Sequence, residues 1–244
     1  PTVGLLSRGG IVPISSTLDT PGPMTKSVSD NAILLDAMTG EDPLDKATFD
    51  NPKNIKYWES LNSNSLDGLR FGVNTAFLSD SVYRSTVDKL NELGAETIEF
   101  EPTPIEFNGF GAILRGDMII DLADYLEVYG ASDLPVASVE DVVKYNLEDS
   151  LVRIPYGQGR FEGILSEEIS GEDLMELKAS LKLAARQFFD GPMAEHDLDA
   201  VLSLNNRGAG YAAAALYPCL TVPMGYNGDG RPMGLTFIAK QFEE

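Results

Sequence analysis

The sequence predicts an α/β protein, a mixed and mostly parallel sheet covered by helices, with a helical insertion in the middle. Three observations predict it. Between Leu69 and Phe100 the pattern runs strand, helix, strand with short joints, a βαβ unit whose strands pair in parallel. From about residue 108 to 190 apolar residues recur at helical spacing. Beyond that, three apolar runs read as strands, and the last two are joined by the turn Asn227-Gly228-Asp229-Gly230.

In chain order, residues 1 to 26 are turn-rich, punctuated by Gly4, Gly9, Gly10, Pro13, Pro21, Gly22 and Pro23. Ser27 opens a helix with Asp30 at capping-box spacing; Ala32, Ile33, Leu34, Leu35 and Met38 form its apolar face and Gly40 its expected C′ stop. Residues 41 to 68 are polar and read as a long surface connection. Leu69–Val73 is a short strand, a helix covers about 80–93 and ends at Gly94, and Glu96–Phe100 alternates as a second strand. Helices are expected at about 109–129, 138–149 with Ser138 as N-cap, 157–168 and 171–190. Leu198–Leu204 is apolar throughout, as a buried parallel strand should be; a short Ala-rich helix at Tyr211–Leu216 and strands at Leu220–Met224 and Met233–Ala239 complete the pattern.

Composition narrows the function. The 244 residues carry 18 Lys and Arg against 38 Asp and Glu, a net charge of −20, which excludes the basic footprint of a general nucleic-acid binder and disfavours docking on anionic membrane. One cysteine, Cys219, forms no internal disulfide, and one histidine, His196, excludes a His-pair metal site. No apolar run reaches the roughly 18 residues of a membrane span, and no signal peptide opens the chain, so a cytoplasmic location is the expectation. The chain starts at Pro1 rather than Met, which reads as an excerpt or as removal of the initiator.

A self-contained catalytic centre is not evident. A Ser-His-Asp triad needs His196, which stands at a predicted helix end among acids, and no Gly-x-Ser-x-Gly elbow exists. Cys219 follows Pro218 with no basic neighbour and reads as a buried small hydrophobe. Asp117, Asp121 and Asp124 recur along one predicted helix and Glu167 adjoins Glu168; these are read as solvated acids, with an acid–base pair or a cation site as the alternative. No phosphate-cradling Gly-x-x-x-x-Gly-Lys occurs.

Three stretches, in order, resemble one family. Pro1-Thr2-Val3-Gly4-Leu5-Leu6-Ser7-Arg8-Gly9-Gly10-Ile11-Val12-Pro13, then Leu18-Asp19-Thr20-Pro21-Gly22-Pro23-Met24-Thr25-Lys26-Ser27-Val28-Ser29-Asp30-Asn31-Ala32, resembles the segment following the nucleophile loop of amidase signature hydrolases. Leu34 to Asp45 resembles the family's helix and Gly-x-Asp-Pro-x-Asp turn. Tyr217-Pro218-Cys219-Leu220-Thr221-Val222-Pro223-Met224-Gly225 with Gly230-Arg231-Pro232-Met233-Gly234-Leu235-Thr236-Phe237 resembles its paired strands near the C-terminal end. The expected domain reading is a single C-terminal portion of an amidase signature domain over 1–244, with a variable helical insertion at 105–195.

The resemblance implies a partial amidase signature fold and carboxamide C–N hydrolysis through an acyl-enzyme formed by a serine, with a cis-peptide serine and a lysine moving the proton. No residue here matches those three, so none is assigned as catalytic; they are expected upstream of Pro1, the parent is expected to be the active amidase, and this chain alone is expected to be inactive. The chain is expected to supply core and pocket wall. Asn205 and Asn206, at the carboxyl end of strand Leu198–Leu204 where many relatives carry Pro-Thr, together with Tyr211, Tyr217 and Pro218, are the substrate-binding candidates. Ser7, Arg8, Asp19, Thr20, Gly22 and Pro23 are the active-site support candidates, the Pro-Gly-Pro turn acting as a rigid strut whose Gly22 allows a backbone other residues resist. No cofactor and no metal are expected. The expected partners are a small-molecule amide and the missing N-terminal half of the domain, with no nucleic acid and no membrane; a homo-oligomer stays open, because a cut sheet exposes edges that self-associate. The alternative is a non-catalytic amidase-like binding or assembly module.

Overall fold

The computed structural model describes residues 1–52, 55–61 and 65–244. The parts of the polar connection at 53–54 and 62–64 lie outside the described residues. The chain divides into two compact units, one formed by Pro1–Ser7, Thr20–Phe107 and Lys182–Glu244, the other by Arg8–Asp19 and Asn108–Leu181.

The first unit is built on a five-stranded mixed sheet of order β2-β1-β3-β5-β4, from β1 (Arg70–Asn74), β2 (Glu96–Phe100), β3 (Ala200–Leu204), β4 (Cys219–Tyr226) and β5 (Pro232–Ile238). β1 pairs in parallel with both β2 and β3, whereas β5 runs antiparallel to β3 and β4, so parallel pairing is confined to one side of the sheet. The predicted βαβ unit is present. Its helix, α2 (Ser81–Glu92), is started by Asp80, whose carboxylate accepts the Val82 and Tyr83 N–H groups. Gly94 follows it at φ 101, a left-handed position that glycine adopts without strain. The turn at Asn227 also forms, its side chain accepting the Asp229 and Arg231 N–H groups. Tyr83, Val73, Leu202 and Leu235, each 1% exposed or less, anchor the core around the sheet.

α1 (Val28–Met38) starts as expected, with the Ser27 hydroxyl accepting the Asp30 N–H. Its end falls where expected, with Gly40 at C′ directly after the Thr39 cap, but without the left-handed turn of a glycine stop. Thr39 caps it in an extended conformation and Gly40 is not left-handed, because the Thr39 hydroxyl and N–H both bond the Leu35 carbonyl and Thr39 bridges to Leu6. The helix buries Ala32 and Leu35 and leaves Val28, Ile33, Leu34 and Met38 exposed. The connection expected at 41–68 contains 3₁₀ turns at Lys46–Asp50 and Tyr57–Ser60; the first is nucleated by Asp45 and by the fully buried Thr48.

The second unit is helical: α3 (Phe110–Tyr129), α4 (Val139–Glu148), α5 (Ser150–Arg153), α6 (Gly159–Leu165) and the first turns of α7 (Gly171–His196). Leu122, Val139 and Ile164 form its core with Met118, Leu126, Val142 and Phe161. Ser138 caps α4 as expected. α6 is shorter than the predicted 157–168, and α7 runs past 190 through Pro192 to His196. A proline inside a helix removes one donor, yet Phe189 and Met193, 1% and 2% exposed, hold the last turns by burial, and packing overrides local propensity. Among the described residues, no helix is long and apolar enough to cross a membrane.

Candidate functional site

At the carboxyl end of β3 the chain turns sharply. Asn205 takes a left-handed φ of 52, a conformation asparagine tolerates when its surroundings specify it. They do. Its N–H donates to the Gly234 carbonyl at 2.8 Å, its Oδ1 accepts the Gly234 N–H at 2.8 Å, and its carbonyl accepts the Thr236 hydroxyl at 2.6 Å. The Thr236 hydroxyl also meets that of Thr221 at 2.8 Å. Because Gly234 N–H fixes the amide oxygen, Nδ2 is directed the other way, toward the Met233 sulfur at 3.8 Å, a weak acceptor. Asn206 is exposed, and its carbonyl starts α8 (Ala209–Ala215) by accepting the Ala209 N–H.

Tyr211 lies on α8 between Phe107, ring centroids 4.3 Å apart, and Phe188, stacked at 4.7 Å. Phe188 meets Phe189 edge-on at 5.1 Å, and Phe189 lies 5.9 Å from Tyr217. Tyr211 and Tyr217 therefore belong to one aromatic ladder that runs from Phe107 to Tyr217, with Asn205 and Asn206 outside it. The middle rungs were visible in the sequence only as helix periodicity. Tyr217 is buried, donates its hydroxyl to Asp190 and lies under the Arg186 guanidinium; burial, then Asp190, pushes its phenol far above the usual range. Leu216 before it is left-handed, and Pro218 is buried just before β4.

The support candidates fall in both units. In the first, Ser7 donates to the Asp42 carboxylate, which this bond and the Leu44 N–H hold below the usual carboxylate range. Thr20 donates to the Thr2 carbonyl at 3.5 Å, and the Pro23 carbonyl accepts the Asn31 side chain at 3.0 Å, tying the Pro-Gly-Pro turn to α1. Gly22 corrects the expectation. Its φ is outside the left-handed region; what excludes a side chain is the Pro1 ring, 2.9 Å from where a Cβ would stand.

In the second unit, Asp19 accepts the N–H groups of Ile14 and Ser15 at 2.7 and 2.9 Å, and the Arg8 guanidinium donates to the Ser16 carbonyl. The same turn is gripped from α3. Ser15 donates its hydroxyl to Asp117, Ser16 donates its N–H to Asp121, and Lys178 pairs with the other oxygen of Asp117. Asp117 is 2% exposed. The expected solvated face is thus overturned for Asp117 and, in part, for Asp121, because the aperiodic 14–19 segment folds over it; Asp124 alone is exposed. Glu167 is likewise paired, with Arg115 at 2.6 Å.

The electrostatics split the two aspartates. Burial alone pushes Asp117 up, but hydrogen bonds from Lys178, Ser15 and Thr17 outweigh it and leave the carboxyl below its ordinary value. Asp121 is pushed up by burial, which its Ser16 bonds only partly offset. A depressed carboxyl contributes stability above its unfolded pKa of about 3.9 that is lost as pH falls through the folded value; a raised one contributes in the opposite sense. Asp117→Asn is therefore expected to lower the melting temperature at pH 7, with the deficit shrinking below about pH 4. Asp121→Asn should leave it unchanged or higher at pH 7. Melting curves at both pH values check this pair.

Among the described residues no group of three His, Cys, Asp or Glu side chains could hold a metal ion. His196 ends α7 and offers its carbonyl to Arg70. Burial pushes the Cys219 thiol to about 11, as fits a packed hydrophobe rather than a nucleophile.

The family model described as Amidase matches residues 1–115. A probable amidase of Arabidopsis thaliana is 32% identical over 256 residues, covering 100% of this chain and 49% of that protein. The structure of an amidase family protein from Bacillus anthracis superposes with a TM-score of 0.91 at 30% identity, over 100% of this chain and 49% of that one. Native peptide amidase from Stenotrophomonas maltophilia gives 0.89 at 28%, over 100% and 54%. The chain thus spans about half the length of these relatives. The family model, the full-chain sequence match and the shared fold converge: together they support the amidase signature family, with this chain resembling about half the length of its members.

Proposed function

We propose that this chain forms part of a hydrolase of carboxamide C–N bonds that works through an acyl-enzyme, and that it supplies core, pocket wall and loop support rather than the nucleophile. The observation that carries the reading is the superposition of the whole chain on amidases, a peptide amidase among them. In this reading the serine that attacks the carbonyl, the bridging serine and the lysine that takes the proton belong to sequence outside these 244 residues, since no residue here matches them. Two surfaces of the first unit favour coverage by further chain. α1 leaves Ile33 and Leu34 exposed, and β4, at the edge of the sheet, leaves Leu220 and Tyr226 exposed.

The wall residues take defined roles. The Asn205 amide, held by Gly234, offers Nδ2 to a substrate carbonyl, for which the Met233 sulfur is a poor substitute. Tyr211, with its ring held between Phe107 and Phe188, offers its edge and hydroxyl rather than a face. Tyr217 and Pro218 shape the base of the same ladder from within the fold.

The test compares the 244-residue chain with the product of the same reading frame extended upstream by roughly one domain's length. Ammonia release from a panel of primary carboxamides is measured with and without hydroxylamine. The extended protein is expected to release ammonia and to form hydroxamates, as an acyl-enzyme partitioning to a second nucleophile does; the 244-residue chain is expected to do neither. Hydrolysis by the short chain, or none by the extended one, overturns the reading. Amide binding without turnover in the extended protein would favour the binding module instead.

A further inference from the structure

We infer that Asp117 is a positioning residue, the anchor through which α3 sets the conformation of the 14–19 turn and so of Arg8 and Asp19 within the second unit. This rests on the amidase reading for its effect on turnover, but not for its structural content. The polar links from the turn to α3 end on Asp117 or on its neighbour one helical turn away, Asp121. Ser15 is the hub: it is fully buried, its N–H goes to Asp19, its carbonyl accepts the Asp19 N–H at 2.9 Å, and its hydroxyl donates to Asp117 while accepting the Leu18 N–H at 3.2 Å. Ser16 is the second: its N–H goes to Asp121 and its carbonyl receives Arg8. Asp117 and Asp121 share one face of α3 by their spacing of four, so a single rigid helix presents two carboxylates to consecutive residues of a segment that has no regular structure of its own.

Lys178 on α7 completes the anchor. Its Nζ takes the carboxylate oxygen that Ser15 does not use, so a carboxyl 2% exposed stays charged and fixed in orientation. A carboxylate so buried is tolerated only when its lone pairs are satisfied, and here the satisfying groups come from two separate chain segments. A residue that merely filled space on α3 would not need a charge, a lysine and a serine hydroxyl around it. Asp117 acts through Ser15 and Thr17, while Ser16 is held by Asp121, and it touches no substrate; its expected signature is altered order in the turn, with turnover falling more than substrate affinity.

The experiment measures hydrogen exchange of the peptide spanning residues 8–19 in the wild type, Asp117→Asn, Ser15→Ala, Lys178→Met and the double variant Asp117→Asn/Lys178→Met. Asp117→Asn is expected to speed exchange at Ser15 and Ser16 by about tenfold, the loss of one buried hydrogen-bonding partner, while β3 amides stay unchanged. Ser15→Ala, which deletes the two bonds of the hydroxyl and no charge, guards against a variant that fails to fold and should give a smaller change in the same peptide. The double variant should recover part of the loss, because Lys178 is then not left beside an amide. In the extended protein, kcat for carboxamide hydrolysis should fall about tenfold with KM within about twofold. Unchanged exchange in the 8–19 peptide for both Asp117→Asn and Ser15→Ala overturns the proposal. Absence of any hydrolysis in the extended wild type sinks the amidase reading instead and leaves the exchange result to decide this one.

Discussion

Replacing Gly4 by alanine is expected to destabilise the first unit by about 3 kcal/mol, from two costs that add. Gly4 has a φ of 97, which roughly 1–2 kcal/mol disfavours for any residue with a Cβ. A Cβ there would also stand 2.2 Å from the Ala47 carbonyl oxygen and 3.0 Å from its carbon, both backbone atoms of the Lys46–Asp50 turn that no rotamer change can move. The neighbours leave little room for relief. Leu5 and Leu6 are 0% and 1% exposed and pack on Leu35; the Leu5 carbonyl accepts the Asn51 side chain at 2.7 Å. The control is Gly10→Ala, at φ 76 with nothing within 4 Å of the new Cβ, which carries the conformational cost alone. Urea midpoints should therefore fall further for Gly4→Ala than for Gly10→Ala, with the exchange of residues 1–7 and 40–51 rising first. Equal losses in the two variants would show that the close approach to Ala47 is not what demands glycine.

That contact separates what the sequence declares from what it hides. The βαβ unit was legible because each of its signals is local: alternation in Glu96–Phe100, amphipathic spacing after Asp80, a glycine at the helix end. The α7 terminus was not, since Pro192 argues locally for a stop and only the burial of Phe189 and Met193 overrules it. The site shows the same divide. Asn205 could be marked by its place at a strand end, but the Gly234 backbone bonds that aim its amide lie across the sheet. The Asp117 anchor was read as solvent-facing because its partner Ser15 lies 102 residues away, in a short segment whose composition carries no period. Acids spaced by four on an otherwise apolar helix were the one available signal, and in a chain with 38 acids that signal is diluted.

Tyr83 offers the sharpest test of what holds the sheet's central strand. Its side chain is fully buried from α2, packs edge-on against Phe77 at 5.8 Å, and donates its hydroxyl to the Leu202 carbonyl of β3 at 3.1 Å. Tyr83→Phe removes only that bond and should cost about 1 kcal/mol. Tyr83→Ala removes the ring from a cluster that includes Val73, Leu202 and Leu235, and should cost about 4 kcal/mol through lost burial and the cavity left behind. Urea unfolding with an unchanged m value separates the two contributions. If the two variants lose equal stability, the hydroxyl rather than the ring ties α2 to the sheet. If Tyr83→Ala loses less than about 1 kcal/mol, the cluster collapses onto the gap and the strand is held mainly by its backbone ladder. The expected large difference has a functional corollary. β3 ends at Leu204, one residue before Asn205, so the packing that fixes Leu202 also fixes where the Asn205 turn begins. In the extended protein, Tyr83→Phe should then leave amide hydrolysis near wild type at temperatures where Tyr83→Ala, though still folded, has lost it.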